Sequence, residues 1–301
     1  MAETESALSG ARGGVEFVVA SYNIHRAVGG DRRKQPLRIA ETIAALDADL
    51  IALQEVETPV KAAPQIFLQH LRALGYATLL GHTLQRGADH YGNLLLSRLP
   101  VLSQQRLDIS QPGREPRGLI EARVALRQGT RSPATADLAT AARDAAALAR
   151  DATAAVHDAA TAAGGATASA HPGLPAADTG ATVLRCLATH LGLSASERRR
   201  QIAAILAQLG AAATCSRTPL VLMGDFNEWW PRNGRLAQLN RRLDAAPARA
   251  SFPARWPLLA LDRLWYSAGL ELLEMQVVRT PATRAASDHL PLRAQLRMVA
   301  G

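Results

Sequence analysis

Leu220-Val221-Leu222-Met223-Gly224-Asp225-Phe226-Asn227 is the stretch on which the reading of this chain turns. Its apolar residues make a short buried strand ending in Gly224-Asp225, and a compact polar group follows at the tip. Glycine there allows close backbone approach, the Asp225 carboxylate can orient or deprotonate water, and the Asn227 amide can donate to a phosphoryl oxygen. An Asx-type turn after a strand explains an aspartate or an asparagine at such a place. It does not explain both flanking a buried phenylalanine.

The same construction recurs along nearly the whole chain. Polar motifs accompany apolar runs at Ser21-Tyr22-Asn23-Ile24-His25, Leu53-Gln54-Glu55-Val56, Ala188-Thr189-His190-Leu191, Leu261-Asp262-Arg263 and Ser287-Asp288-His289. Carboxylates, amides and imidazoles at the ends of hydrophobic strands meet only if those strands lie side by side. A chain of 301 residues with 48% hydrophobic content has ample core for this, and the spread from Asn23 to His289 favours one domain over two.

Working outward, strands are expected over 15–22, 49–54, 76–80, 93–97, 121–126, 182–191, 220–223, 261–266, 270–278 and 292–296. Helices are expected over 36–46, where proline opens a run of helical apolar spacing, over 64–74, and over 196–209 with Ser194 or Ser196 as its cap. Strands, helices and hairpins interspersed in this way suggest two sheets packed face to face with helices outside, an α/β (α+β) class, rather than a singly wound parallel sheet.

Residues 128–180 read as an insertion at the tip of a hairpin. From Asp137 a seven-residue unit repeats, opened by Asp137, Asp144, Asp151 and Asp158, with Arg143, Arg150 and His157 closing the first three. Alanine favours helix, and the spacing aligns the aspartates along one stripe, but the apolar seam is thin for a coiled coil. A helix and a disordered run both remain open for it. The domain is thus expected over 15–301, interrupted by the insertion and preceded by a flexible tail over 1–14 that resembles neither a signal peptide nor an anchor.

Only Cys186 and Cys215 are cysteines, and both read as buried thiols rather than a disulfide framework. No apolar run reaches membrane-spanning length, so the expectation is a cytoplasmic monomer without stable membrane insertion. The net charge of +8 comes almost wholly from arginine. It permits a polyanionic substrate without establishing one, because arginine bias also follows from genome composition.

Hydrolysing a phosphate ester needs a cation to neutralise non-bridging oxygens, an activated water, and help for the departing oxygen. Magnesium takes hard oxygen ligands with one or two carboxylates. Glu55, Asn23 and Asp288 are the candidates, although Glu55 alone reads equally well as a solvated strand end. Asp262 paired with His289 would fix the imidazole tautomer, an arrangement that can also be merely structural. His190 could donate to a phosphoryl or leaving oxygen, or be a satisfied core histidine.

Taken in order, Asn23, Gln54-Glu55, Thr189-His190-Leu191, Gly224-Asp225-Phe226-Asn227, Asp262 and Ser287-Asp288-His289 resemble the endonuclease/exonuclease/phosphatase superfamily. That group includes deoxyribonuclease I, abasic-site endonucleases, deadenylases, inositol-polyphosphate 5-phosphatases and neutral sphingomyelinases. The resemblance implies a four-layer α/β sandwich and a Mg2+-dependent phosphoesterase, with Mn2+ as a substitute ion. It assigns Asn23, Glu55 and Asp288 to the metal, Asp225 to water orientation and Asn227 to a phosphate contact. It makes Asp262 the partner of the catalytic His289, and matches His190 to the imidazole of the deoxyribonuclease, deadenylase and sphingomyelinase branches. Asn93 falls on a strand where it would support the site or simply open the strand.

His25 stands where abasic-site enzymes carry an acid, and Glu121-Ala122-Arg123 lies where they carry a tyrosine, which argues against abasic-site repair. The implied partner is a phosphate ester, as nucleic acid or as a phospholipid headgroup. The implied reaction is nuclease-like phosphodiester or phosphomonoester hydrolysis. The alternatives are a lipid or inositol phosphate phosphatase and a non-catalytic binding module.

Overall fold

Side-chain alternation along the central strands sets the layers. The computed structural model describes residues 14–59, 66–127, 181–213, 218–230 and 234–299. The expectations made for the insertion at 128–180, for the tail up to residue 13 and for Cys215 lie outside the described residues.

In chain order the elements are β1 (Glu16–Asn23), a 3-10 turn (His25–Ala27), α1 (Pro36–Leu46), β2 (Leu50–Pro59), α2 (Ile66–Ala73), β3 (Ala77–Arg86), β4 (Asp89–Ser97), β5 (Val101–Asp108), β6 (Gly118–Leu126), β7 (Thr182–His190), α3 (Ala195–Ala213), β8 (Leu220–Asp225), α4 (Gly234–Asn240), β9 (Asp244–Ala245), β10 (Asp262–Tyr266), β11 (Leu270–Val277), α5 (Pro281–Ala286) and β12 (Leu292–Met298). They form two six-stranded sheets, ordered β11-β12-β1-β2-β4-β3 and β5-β6-β7-β8-β10-β9. Each sheet contains one parallel pair near its middle, β1 with β2 and β7 with β8, among antiparallel neighbours.

Phe17 and Val19 of β1, Leu50 and Ala52 of β2, Cys186 and Ala188 of β7, and Val221 and Met223 of β8 fill the seam between the sheets. The alternate residues point the other way. Val18, Ala20 and Tyr22 meet Ile39 and Ile43 of α1, while Leu187, Leu220 and Leu222 meet Ile202 and Ile205 of α3. Three cores between four layers give the sandwich of sheets flanked by helices. Each fully buried isoleucine on α3 contributes roughly 1.5–3 kcal/mol to holding that outer layer.

Several elements differ from the sequence expectation for identifiable reasons. β5 was not anticipated because it is an edge strand with a largely exposed, polar run from Ser103 to Arg106. The short helices α4 and α5 were also not anticipated; α5 is started by Thr280, whose side chain accepts from the Thr283 amide while Thr283 reciprocates. Ser194, not Ser196, caps α3, accepting from the Glu197 amide at 3.3 Å. β2 runs past Glu55 to Pro59 instead of ending there.

Candidate active site

Strand parity aims the polar tips. β8 alternates so that Val221, Met223 and then Asp225 face the seam, and β7 brings His190 to the same face, directly opposite Asp225 in register. Asp262 opens β10 opposite Asp225 on the other side. In the first sheet, Asn23 follows Phe17, Val19 and Ser21 on the seam face of β1.

Glu55 would point away from the seam by the same count, since Leu50, Ala52 and Gln54 face it. A bulge between Leu53 and Val56, with Glu55 at φ 58°, reverses the parity, sends Val56 to the helix side and frees Glu55 to turn inward.

The two halves are joined by Asn23, whose Nδ2 donates to Asp225 Oδ2 at 3.0 Å and to Glu55 Oε1 at 3.2 Å. Its Oδ1 accepts from the His25 amide at 3.0 Å. Thus Asn23 presents nitrogen to both carboxylates, and an oxygen contact to an ion requires this amide to turn over.

Asp225 Oδ1 accepts from the Asn227 amide N–H at 2.9 Å, an Asx turn with Asn227 at φ 49°. The structure therefore contains that turn and also gives Asn227 two further bonds, through Nδ2 to the Leu191 carbonyl at 2.9 Å and to His190 Nε2 at 3.1 Å. Gly224 is needed because its φ is 153° and a β-carbon would fall 2.0 Å from the Thr189 carbonyl oxygen.

His289 sits beside Asp262, Nδ1 to Oδ2 at 2.9 Å, and directs Nε2 at Asp225, 3.8 Å from its Oδ2. Ser251 donates to the same Asp262 oxygen at 2.5 Å, and Phe252 packs on the imidazole with centroids 4.8 Å apart. Nothing in the spacing around Asp262 pointed to Ser251 or Phe252; they lie on an irregular segment whose path is set by tertiary contacts. Ser287, quoted with its motif but given no role, donates to the Asn23 carbonyl at 2.8 Å and so ties the last motif to β1.

Asp225, Asp262, His190, His289 and Asn23 are buried, whereas Glu55, Asn227 and Asp288 are half-exposed at the mouth. Asp288 reaches toward His25, 3.7 Å from its Nδ1. Asn93, on β4 across from the β2 bulge that carries Glu55, donates to the Gly118 carbonyl at 3.1 Å, linking the first sheet to the second.

The two histidines are pushed in opposite directions. Burial, assisted by Arg117, lowers His190 from 6.5 to about 3 against the pull of Asp225. Burial would also lower His289, but the charge and hydrogen bond of Asp262, with Asp225 and Asp288 behind it, raise it to about 10. One imidazole is thereby neutral and accepts from Asn227; the other is a cation between carboxylates.

Asp225, Asp262 and His289 also bring one ligand atom each within 4.8 Å of one another, close enough for a metal ion. A protonated His289 bonded to Asp262 competes with that use. The hard-oxygen groups at the open mouth, Glu55 and Asp288, better suit a strongly hydrated divalent cation.

A fold of two packed mixed sheets with this polar rim defines a class. The Endonuclease/Exonuclease/phosphatase family model matches residues 20–289, and the chain belongs to that family. The uncharacterized protein YbhP of Escherichia coli strain K12 is 24% identical over 300 residues, with 94% of this chain and 96% of that protein covered. Among solved structures, an endonuclease/exonuclease/phosphatase from Beutenbergia cavernae superimposes with TM-score 0.65 at 20% identity, covering 94% of this chain and 72% of that one. The human Nocturnin catalytic domain with bound sulfate anion gives TM-score 0.61 at 17% identity, covering 94% of each chain.

Proposed function

We propose that the protein is a Mg2+-dependent phosphoesterase that hydrolyses phosphodiester or phosphomonoester bonds by in-line attack of water. The observation that carries this reading is the convergence on Asp225. Its carboxylate receives Asn23 at 3.0 Å, faces His289 at 3.8 Å, and lies 3.6 Å from His190.

The donor set fits a divalent ion. Asp225, Asp262 and Asp288 surround one imidazolium and Glu55 shares the Asn23 amide with Asp225, so an anionic substrate would be repelled without added positive charge. Glu55 and Asp288, with Asn23 beside them, would hold Mg2+, or Mn2+ in its place. When bound, the ion neutralises non-bridging phosphoryl oxygens.

The chain's own groups do the rest. Asp225 orients the attacking water, held in place by its bonds to Asn23 and to the Asn227 amide. Asn227 Nδ2 donates to a phosphoryl oxygen the hydrogen bond it now gives to His190. Asp262 fixes His289 through Nδ1 and leaves Nε2–H facing the reacting phosphorus, where a cation lowers the cost of developing charge. His190, neutral and buried, closes the wall behind Asn227.

Purified protein assayed on bis(p-nitrophenyl) phosphate and p-nitrophenyl phosphate tests this. Turnover is expected with Mg2+ and none with EDTA. Asp225→Asn and His289→Ala should each lose roughly two to four decades of rate with the fold intact. Near-normal rates in both variants, or activity indifferent to EDTA, would overturn the assignment. Retained fold with no turnover of any ester would favour a binding module.

A further inference from the structure

Three segments leave the catalytic rim of the second sheet, and each carries large apolar side chains into solvent. Beyond His190, Leu193 is 75% exposed; beyond Asp225, Trp229 and Trp230 are 53% and 55% exposed; before Asp262, Trp256 and Leu258 are 66% and 78% exposed. The segments are neighbours, because His190 and Asp262 both pair in register with Asp225. Arg198 ties two of them, donating to the Leu193 carbonyl at 2.5 Å and to Glu228 at 3.2 Å. Trp229 and Trp230 brace each other edge to face with centroids 5.7 Å apart. Apolar residues scattered singly over a surface need no explanation, but a group gathered at one rim does.

The exposed charge on these segments and on neighbouring Arg114 is cationic, the half-exposed carboxylates Glu55 and Asp288 lying at the mouth beside them. Arg114, Arg199, Arg200 and Arg255 are exposed, while Glu228 is held by Arg198 and Arg235, Glu197 by Gln201, and Glu115 by Arg86 and Arg117.

Building on the phosphoesterase reading, we propose that this rim is a docking surface for an anionic phospholipid bilayer, and that the substrate is a phosphate ester presented at the bilayer surface. Tryptophan rings settle at headgroup depth with their N–H wet, leucines enter the acyl boundary, and arginines meet lipid phosphates. A single-stranded nucleic acid would use the tryptophans and arginines as a stacking platform. It would leave Leu193 and Leu258, the two most exposed of the group, without a partner, and the leucines therefore decide for the bilayer. The contact is peripheral in geometry, made by rim segments and not by a crossing helix: among the described residues no helix is long and apolar enough to cross a membrane.

Tryptophan emission reads docking directly, since Trp229, Trp230 and Trp256 are exposed and Trp265 is buried. The full chain, kept in EDTA so that no turnover occurs, is titrated with vesicles of brominated phosphatidylcholine containing or lacking phosphatidylglycerol. Quenching and a blue shift are expected with phosphatidylglycerol, weakened by salt and by its omission. The double variant Trp230→Ala/Leu258→Ala should bind at least roughly tenfold more weakly with unchanged circular dichroism. Leu193→Ser carries the same expectation should that variant fail to fold.

No spectral change with any vesicle, or equal binding by the variants, overturns the proposal. So does binding of a labelled single-stranded oligonucleotide that depends on these residues while vesicles are ignored. Turnover of soluble esters without vesicle binding would refute docking alone, and vesicle binding without turnover of any ester would refute the phosphoesterase reading alone.

Discussion

Glu55 meets Asn23 at 3.2 Å because β2 is bulged between Leu53 and Val56. Without the extra residue Glu55 would face the helical layer with Ile51 and Leu53, and the carboxylate would be lost to the site. The bulge leaves Glu55 at φ 58°, in the left-handed region.

A glutamate held there carries backbone strain that asparagine tolerates better. Glu55→Asn should therefore keep the unfolding free energy in urea unchanged or raise it by up to about 1 kcal/mol, while activity falls and the Mg2+ concentration for half-maximal rate rises. A stability loss beyond about 1 kcal/mol would mean that the carboxylate supports the fold as well as the site.

The opposed histidines predict opposed pH slopes of stability in EDTA. His289 rises from 6.5 to about 10 on folding, so its contribution is full below pH 6.5 and is lost as pH rises through about 10. His190 falls from 6.5 to about 3, so its contribution is present above pH 6.5 and is lost as pH drops through about 3. Urea midpoints measured across pH should show that His289→Gln flattens the alkaline limb and His190→Gln the acid limb. Unchanged limbs in both variants would contradict these environments.

Gly224→Ala should be severe for a reason separate from catalysis. The added carbon would fall 2.0 Å from the Thr189 carbonyl oxygen, a backbone atom that no rotamer can move. A loss of at least about 2 kcal/mol is expected, seen as a lower urea midpoint at unchanged slope. A neutral result would show that β7 and β8 can part at their ends.

Leu126 and Thr182 are paired in register across β6 and β7, so the chain leaves and re-enters the sheet at adjacent positions. Replacing residues 128–180 with a short glycine-containing turn should preserve both the melting transition and turnover of soluble esters. Loss of the cooperative transition would assign the segment a part in the core.

Much of the architecture was readable because a strand buried on both faces becomes a run of apolar residues, as in 220–223, and a site built at strand tips leaves polar residues after such runs. The edge strand β5 was not readable, since one exposed, unpaired side removes the pressure for apolar alternation. The short helices α4 and α5 escaped for a related reason, being too brief to show a period and held by caps and packing. At the site, Asp225, Asp262 and His289 could be named from their motifs, but Ser251 and Phe252 could not, because their contact with the dyad is made by an irregular segment with no local pattern.

By itself, then, the order of residues determined which groups stand at the ends of buried strands, because hydrophobic burial is written into local composition and alternation. Only the tertiary structure decided which face Glu55 takes, that the Asn23 nitrogen and not its oxygen meets both carboxylates, and why His190 and His289 part in charge. Those outcomes depend on a one-residue bulge and on the distances between chains of atoms hundreds of residues apart, and neither leaves a trace in local sequence.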